Sequence, residues 1–202
     1  MKILHLSDTH GMHHRLRELP EADVVVHSGD FCMYGESREA LDFVNWFCDL
    51  PYPHKLFISG NHDHCMYGYE INGLDANVHY LCNSGIEIEG VKFYGIPLFV
   101  QDDAFGRLNG YYSDISKDTD VLITHTPACG ILDLDDSFGT GPINNGSEEL
   151  LKRITGIHLK AHLFGHIHRQ HGIMEQNGII FSNGAIMNDD YEHINTPNII
   201  EI

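Results

Sequence analysis

The sequence predicts an α/β fold of four layers, in which two β-sheets form a sandwich with helices on both outer faces. The first observation is the order of elements, because strands alternate with helices early in the chain and follow one another directly later on. The second is a set of short apolar runs, each of which stops at Gly, Asp, Asn or His, as is typical of buried strands. These runs are residues 3–6, 24–27, 56–58, 121–123 and 163–164.

Residues 37–49 have the pattern of an amphipathic helix. Ser37 is the predicted N-cap, and Glu39 lies in the first turn, where a negative charge is favourable. The predicted buried face carries Leu41, Val44 and Phe47 or Cys48.

Residues 147–155 are predicted to form a second helix, with Ser147 as its N-cap and two glutamates behind it. This helix should bury Leu150, Leu151 and Ile154. A shorter helical turn is predicted within residues 13–19.

Strands joined by turns are predicted in the middle and at the end of the chain. The predicted strands are 78–82, 86–89, 92–96, 172–175, 179–183 and 198–202. Turns are expected at Gly90, at Asn177-Gly178 and at Pro197. Residues 100–119 have no clear period and are predicted to form a long loop.

Length and cysteine content indicate the number of domains and the cellular compartment. With 202 residues, the chain is expected to form one domain, residues 1–202, as a monomer or a small homo-oligomer. It has no apolar stretch of the length that a membrane-spanning helix needs, and its first strand begins too early for a removable signal peptide. The five cysteines show no paired spacing, which favours a reducing, cytoplasmic location.

The net charge of −17 limits the class of substrate. Such a surface repels phosphate backbones and argues against long nucleic acid. Two bound dications would offset about four of these charges locally and attract a small anion to one cleft.

Five fragments rich in metal-binding residue types each follow one of the apolar runs. They are Asp8-Thr9-His10, Gly29-Asp30, Gly60-Asn61-His62-Asp63, Thr124-His125 and Gly165-His166-Ile167-His168. Because the carboxyl ends of neighbouring parallel strands share one edge, these side chains should meet there. Asp8 and His10 alternate along a chain that is expected to be extended, and so do His166 and His168, with Ile167 turned into the core. Together, the oxygen and nitrogen donors of these fragments are sufficient in number and type to bind two divalent ions.

The order of these five fragments resembles that of the calcineurin-like metallophosphoesterases. The segments 124–133, 146–151 and 181–202 further resemble the small branch of single-domain metallophosphoesterase-domain proteins, some of which hydrolyse cyclic nucleotides. The resemblance covers nearly the whole chain and implies the four-layer architecture given above, with the metal site at the carboxyl ends of the strands.

The resemblance also implies a ligand set for two metals. The first metal would be held by Asp8, His10, Asp30 and His168, and the second by Asp30, Asn61, His125 and His166. Asp30 would therefore bridge the two ions, and a bridge of this kind holds them about 3.5–4 Å apart. Because the set contains nitrogen and oxygen but no sulfur, Mn²⁺ is the expected metal, with Fe, Ni, Co or Zn as alternatives.

His62 is not assigned to a metal, and the resemblance implies that it faces the scissile phosphate and protonates the leaving oxygen. Asp63 is expected to orient the His62 ring and keep it protonated. Other histidines near the motifs, at positions 13, 14, 64 and 171, could rim the cleft or simply face solvent. The side chains expected to contact the substrate body are Phe105, Asn109 and residues 169–171, with Arg169 as a candidate phosphate ligand.

The predicted activity is hydrolysis of a small phosphodiester such as a cyclic nucleotide. A hydroxide that bridges the two ions would attack phosphorus in line, and His62 would assist departure of the alcohol. A phosphomonoesterase would use the same residues, so the motifs leave that alternative open. A non-catalytic metal-binding scaffold is disfavoured because every expected ligand and His62 are present.

Overall fold

The structure, a computed structural model, describes residues 1–136, 139, 141–192 and 195–202. Its strands are β1 (Lys2–Leu6), β2 (Val24–His27), β3 (His54–Phe57), β4 (Val78–Tyr80), β5 (Ser84–Ile88), β6 (Val91–Ile96), β7 (Val121–Thr124), β8 (Leu134–Asp135), β9 (Ile143–Asn144), β10 (Ala161–Phe164), β11 (Gly172–Gln176), β12 (Ile179–Asn183) and β13 (Asn198–Glu201). Its helices are α1 (Ser37–Asp49), α2 (Val100–Ala104), α3 (Leu108–Asp114) and α4 (Glu148–Ile154), with 3-10 turns at His13–Arg15, His64–Met66 and His168–Gln170.

Two large sheets form the sandwich. The first has the order β13-β1-β2-β3-β4 and the second the order β11-β12-β10-β7-β6-β5. Strands β1 to β4 are parallel, and β13 is antiparallel to β1. In the second sheet β6, β7, β10 and β12 are parallel, whereas β5 and β11 pair antiparallel at its two edges. Strands β8 and β9 form a separate short pair.

Alternation along the strands builds the four layers. On β1, Ile3 packs between the two sheets, whereas Leu4 packs with Phe43 and Phe47 of α1 on the outer face of the first sheet. The outer face of the second sheet packs against α3 and α4, where Leu150 is fully buried. The predicted α-β-β-α fold is therefore confirmed.

Helix α1 has the predicted bounds but a different cap and a different buried face. Glu36 is the N-cap, in a capping box with Glu39, so the prediction of Ser37 as N-cap is wrong. The buried residues are Ala40, Phe43 and Phe47, whereas Leu41 is 61% exposed. Helix α4 begins as predicted, because the Ser147 hydroxyl accepts the backbone N–H of Leu150.

The predicted loop 100–119 is also wrong, since helices α2 and α3 lie within it. These helices are five and seven residues long, too short to show a period in the sequence. The Gly90 turn and the Asn177-Gly178 turn are confirmed, the latter with positive φ at both residues. No helix in the described part of the chain has the length and apolar character needed to cross a membrane.

Candidate metal centre

The loops that follow five parallel strands bring the predicted ligands together at one edge of the sandwich. The strands are β1, β2 and β3 of the first sheet and β7 and β10 of the second. Three groups of metal-binding side chains meet there. They are Asp8 with His10 and His168, Asp30 with His125 and His166, and His10 with Asp30 and His62.

The backbone reaches this arrangement through left-handed turns. Asp8, His10, Asp30 and His166 have φ of 52°, 43°, 57° and 71°, in the region that residues with a Cβ rarely adopt. The prediction that Asp8 and His10, and likewise His166 and His168, alternate along an extended chain is therefore wrong. Backbone hydrogen bonds hold the strained turns, with Asp8 N donating to Gly29 O at 2.9 Å and His10 N donating to Asp30 O at 3.0 Å. Ile167 is buried, as expected.

The glycines of the motifs make room for the carboxylates. A Cβ on Gly60 would collide with the Asp30 side chain, and a Cβ on Gly165 would collide with the carboxylate of Asp8. Gly29 has φ of +102°, and a Cβ there would lie 2.7 Å from His125 Nδ1. In three of the motifs, therefore, glycine precedes the ligand because any larger residue at that position would collide with a neighbouring group.

Three histidines are oriented by backbone carbonyl groups. The Nδ1 atoms of His10, His125 and His168 lie 3.2, 2.9 and 3.0 Å from the carbonyl oxygens of Cys32, Ser28 and Asn188. A carbonyl can only accept, so each Nδ1 carries a proton, and Nε2 is the atom of each ring that can offer a lone pair to a ligand.

The Nε2 lone pairs converge on the two carboxylates. His10 Nε2 lies 3.3 Å from His168 Nε2, and His168 Nε2 lies 3.4 Å from Asp8 Oδ1. Asp30 Oδ2 lies 3.3 Å from His125 Nε2 and 4.0 Å from His10 Nε2, so this oxygen is within reach of both halves of the cluster.

Two buried polar atoms at the centre have no hydrogen-bond partner among the described residues, namely Asn61 Oδ1 and His125 Nε2. An unsatisfied buried acceptor costs about 1–3 kcal/mol, and a cation would satisfy both atoms. The donor set, the convergence of lone pairs and these two atoms therefore fit divalent metal ions.

Burial and neighbouring charges shift the pKa values of the side chains at the centre. Burial lowers the pKa of His125, but the carboxylates of Asp30 and Asp8 outweigh it and raise that pKa to about 10. Burial opposes ionisation of Asp30, yet the adjacent His125 lowers its pKa to about 2. The pKa of Asp8 also lies below its usual range, because the His168 hydrogen bond and the neighbouring imidazoles outweigh burial. Burial lowers the pKa of His10 and of His166 to about 4, which keeps both rings neutral.

His62 sits at the mouth of the cluster, where its ring packs edge-on against that of His10 at 4.7 Å between centroids. Its Nδ1 lies 2.8 Å from the carbonyl oxygen of Met33. The Asp63 carboxylate instead accepts the backbone N–H groups of Asp30, Cys32 and Gly60, each at 2.8 Å. The prediction that Asp63 orients the His62 ring is therefore wrong.

Asp63 is a structural residue of the ligand loops. It is fully buried, and burial together with the charge of Asp30 raises its pKa to about 8, against the backbone donors, which lower it. By accepting from both the Asp30 loop and the Gly60 loop, its carboxylate fixes the distance between two sets of ligands.

A cavity of about 390 Å³ opens onto the cluster. The sequence did not single out Asp135, Asn145, Asp189 and Tyr191, which line it. The Tyr191 ring lies edge-on to that of His10 at 4.9 Å, and its backbone has φ of 60°. A lone Tyr in an irregular tail gives no sequence signal of such a position.

Arg169 also lines the cavity, but its guanidinium forms ion pairs with Asp136 and Asp189. Two carboxylates therefore already neutralise the positive charge of Arg169 in the absence of a phosphate. Asn109 lies in an adjoining cavity of about 570 Å³, which shares Asn145 and His166 with the first. Phe105 is 71% exposed, and His13 and His14 contact Asp42 on helix α1 rather than the cleft.

The buried residues behind the ligands have structural roles. His5 bonds to the hydroxyl groups of Ser182 and Ser28 at 2.8 and 2.9 Å. Burial raises the pKa of the Cys32 thiol well above its usual range, as expected of an inert buried cysteine.

A four-layer α/β sandwich whose strand ends carry buried carboxylates and converging imidazoles defines a metal-dependent hydrolase. The family model described as calcineurin-like phosphoesterase matches residues 1–170. The chain belongs to this family, and it is accordingly a metallophosphoesterase that uses divalent metal ions.

Individual relatives agree with this assignment. A UPF0046 protein of Caenorhabditis elegans is 34% identical, over 93% of this chain and 70% of its own length. The human metallophosphoesterase domain-containing protein 1 is 27% identical, over 98% of this chain and 69% of its own length. The crystal structure of TT1561 of Thermus thermophilus superposes with a TM-score of 0.64 at 15% identity, over 90% of this chain and 88% of that one, which shows a shared fold.

Proposed function

We propose that the protein is a dinuclear metal phosphodiesterase that hydrolyses small phosphodiesters such as cyclic nucleotides. The observation that carries this proposal is the position of Asp30 Oδ2, which lies within 4.0 Å of Nε2 of both His10 and His125. One carboxylate that reaches both groups of ligands is what a two-metal site needs.

The first ion would be held by Asp8, His10, Asp30 and His168. The second would be held by Asp30, Asn61, His125 and His166. Support for the second set includes the unpartnered Asn61 Oδ1, a neutral oxygen aimed at no other group in the described structure. The nitrogen and oxygen donors favour Mn²⁺, with Fe, Ni, Co or Zn as alternatives.

When bound, two such ions supply charge neutralisation at the phosphate and lower the pKa of a water molecule that serves as nucleophile. The chain contributes the remaining steps. His62 presents its ring at the cavity, held through Nδ1 by the Met33 carbonyl group, so Nε2 is the atom that faces a substrate. From there the imidazolium form of His62 would donate its Nε2 proton to the departing alcohol oxygen, which leaves a neutral ring with its remaining proton on Nδ1.

The cavity favours a substrate with a single phosphate. Around the cluster lie the carboxylates of Asp135 and Asp189, and the Arg169 cation is already ion-paired. A second phosphate would meet negative charge on a chain of net charge −17. A small neutral body on one phosphodiester avoids this repulsion.

A substrate panel tests the proposal. Protein reconstituted with Mn²⁺ is assayed against bis-p-nitrophenyl phosphate, p-nitrophenyl phosphate and 2′,3′- and 3′,5′-cyclic nucleotides, with Asp30→Ala as the control for contaminating activity. We expect metal-dependent hydrolysis of the diesters in preference to the monoester. A preference for the monoester would establish the phosphatase alternative, and no turnover of any of the four substrates with both ions bound would contradict the proposed substrate class.

The proposal also covers the location, the domain organisation and the oligomeric state of the protein. We place the protein in the cytoplasm, because all five cysteines are free. We propose that residues 1–202 form one domain, which the pairing of β13 with β1 supports, and that the protein is a monomer or a small homo-oligomer.

A further inference from the structure

A second cluster of metal-binding side chains lies away from the cavity, between the 3-10 turn His13–Arg15 and helix α1. His13 Nε2 lies 3.1 Å from Asp42 Oδ2, and His14 Nε2 lies 3.0 Å from the same oxygen. His13 is buried, whereas the His14 and Asp42 side chains are 57% and 56% exposed. Neither histidine lines the cavity described above.

The spacing of these donors suits a metal ion. Bonds of roughly 2.0–2.2 Å from one ion to imidazole nitrogen and carboxylate oxygen leave neighbouring donors about 3.0–3.5 Å apart. Both measured nitrogen–oxygen distances fall at the short end of that range, and all three donor atoms lie within 4.8 Å of one another.

Packing holds one of the ligands in place. The His13 ring lies edge-on to Phe43 at 5.6 Å and beside Trp46 at 5.0 Å, so its orientation is fixed before any ion binds. Burial and the adjacent His14 lower the pKa of His13 to about 4, so its ring is neutral and able to coordinate at pH 7.

We propose that His13, His14 and Asp42 form a third metal site, separate from the catalytic cluster, for a divalent transition-metal ion. Two imidazoles and one carboxylate select Zn²⁺, Ni²⁺ or Cu²⁺ over Mg²⁺ or Ca²⁺, which prefer oxygen alone. The exposed side leaves the remaining coordination positions to water. A bound ion would tie the turn that follows His10 to helix α1.

The single tryptophan of the chain, Trp46, reports on this site because it lies beside His13. Cu²⁺ is titrated into protein preloaded with Mn²⁺, and tryptophan fluorescence is recorded for the wild type, His14→Ala, Asp42→Asn and Asp49→Asn. Asp49→Asn is the matched control, since it removes an exposed carboxylate of the same helix.

We expect saturable quenching in the wild type and in Asp49→Asn, and binding weaker by more than about tenfold in His14→Ala and Asp42→Asn. Elemental analysis after Zn²⁺ loading should give one equivalent more in the wild type than in His14→Ala, with phosphoesterase turnover unchanged in Mn²⁺. Equal quenching in all four proteins, or equal zinc content, would show that the three residues form only a hydrogen-bonded cluster.

Discussion

His62 Nδ1 lies 2.8 Å from the carbonyl oxygen of Met33, and the backbone N–H of Met33 in turn donates to Glu39 at 3.3 Å. Glu39 also accepts the backbone N–H groups of Tyr34 and Glu36, each at 3.0 Å. The capping box that begins helix α1 therefore also fixes the loop that orients the proposed general acid. Helix formation and placement of a catalytic group depend on the same carboxylate.

Replacing His62 tests its role in proton transfer. His62→Ala should lower kcat on a cyclic nucleotide by roughly 10²–10⁴-fold, because the alkoxide would then leave without a proton. The metal content should stay near that of the wild type. On bis-p-nitrophenyl phosphate the loss should be much smaller, since p-nitrophenolate departs unprotonated. Equal losses on both substrates would mean that His62 acts in binding or electrostatics.

Glu39 is predicted to position His62 without touching the substrate. Glu39→Gln keeps the size of the side chain but weakens its bonds to Met33 and Tyr34, so kcat on a cyclic nucleotide should fall by less than in His62→Ala. In the His62→Ala background the same change should have little further effect on kcat, because the ring that it positions is gone. Additive losses would show that Glu39 acts through the fold alone.

The same residue gives a pH dependence of stability. Burial opposes ionisation of Glu39, but the backbone donors of Glu36, Tyr34 and Met33 outweigh it and lower its pKa below 4.5. A lowered folded-state pKa stabilises the protein above the unfolded value and loses that effect as the pH falls through the folded value. Glu39→Gln should therefore reduce the free energy of unfolding at pH 7, and this difference should shrink at a pH below the ordinary glutamate pKa of 4.5. Urea unfolding at both pH values measures it.

Some features of the fold are encoded by local sequence patterns, whereas others depend on tertiary contacts. The strand ends and the Ser147 cap were predictable, because β-branched runs and a Ser before two glutamates carry local signals. The buried face of α1 was not, since Leu41 is as apolar as Phe43 and only packing decides which of them faces the sheet. The left-handed turns at Asp8 and His166 were missed because tertiary contacts impose them.

The residues that line the cavity also differ in whether the sequence predicts their position. The metal-ligand candidates stand in motifs next to strands, whereas Tyr191 and Asn145 reach the cavity from irregular segments. Asp63 lies within a motif, yet its contacts with backbone N–H groups on two loops could not be inferred from its place beside His62.

Removing the shared carboxylate should abolish both metal sites. Asp30→Ala is expected to lose both ions and all activity, because Asp30 Oδ2 lies near the imidazoles of His10 and His125 alike. His10→Ala should weaken mainly the first site and leave about one ion bound per chain. Elemental analysis and anomalous scattering from Mn²⁺-loaded crystals measure both occupancies. Two ions retained in Asp30→Ala would rule out the bridge.

The glycine preceding Asn61 should be intolerant of a methyl group. Gly60→Ala places a Cβ against the Asp30 carboxylate and should lower metal affinity by more than about tenfold. Gly110→Ala is the matched control, because it lies inside α3 and no atom beyond its chain neighbours and its own helix backbone comes within 4 Å of the Cβ position. That change should leave activity intact and stabilise the helix by about 0.5–1 kcal/mol. Metal titration by calorimetry, with thermal unfolding, compares the two variants.

The acidic surface should decide what enters the cavity. A mononucleotide-sized diester brings one phosphate to the metals, whereas a strand would lay further phosphates on a chain with 12 Lys and Arg against 29 Asp and Glu. Cyclic nucleotides should therefore turn over far faster than a single-stranded oligonucleotide, and added salt should do little harm to the small substrates. Asp189→Asn frees one side of the Arg169 guanidinium and should raise the rate on the oligonucleotide more than the rate on the cyclic nucleotide. Matched turnover numbers at two salt concentrations decide the question, because comparable rates on both substrates would favour a nuclease instead.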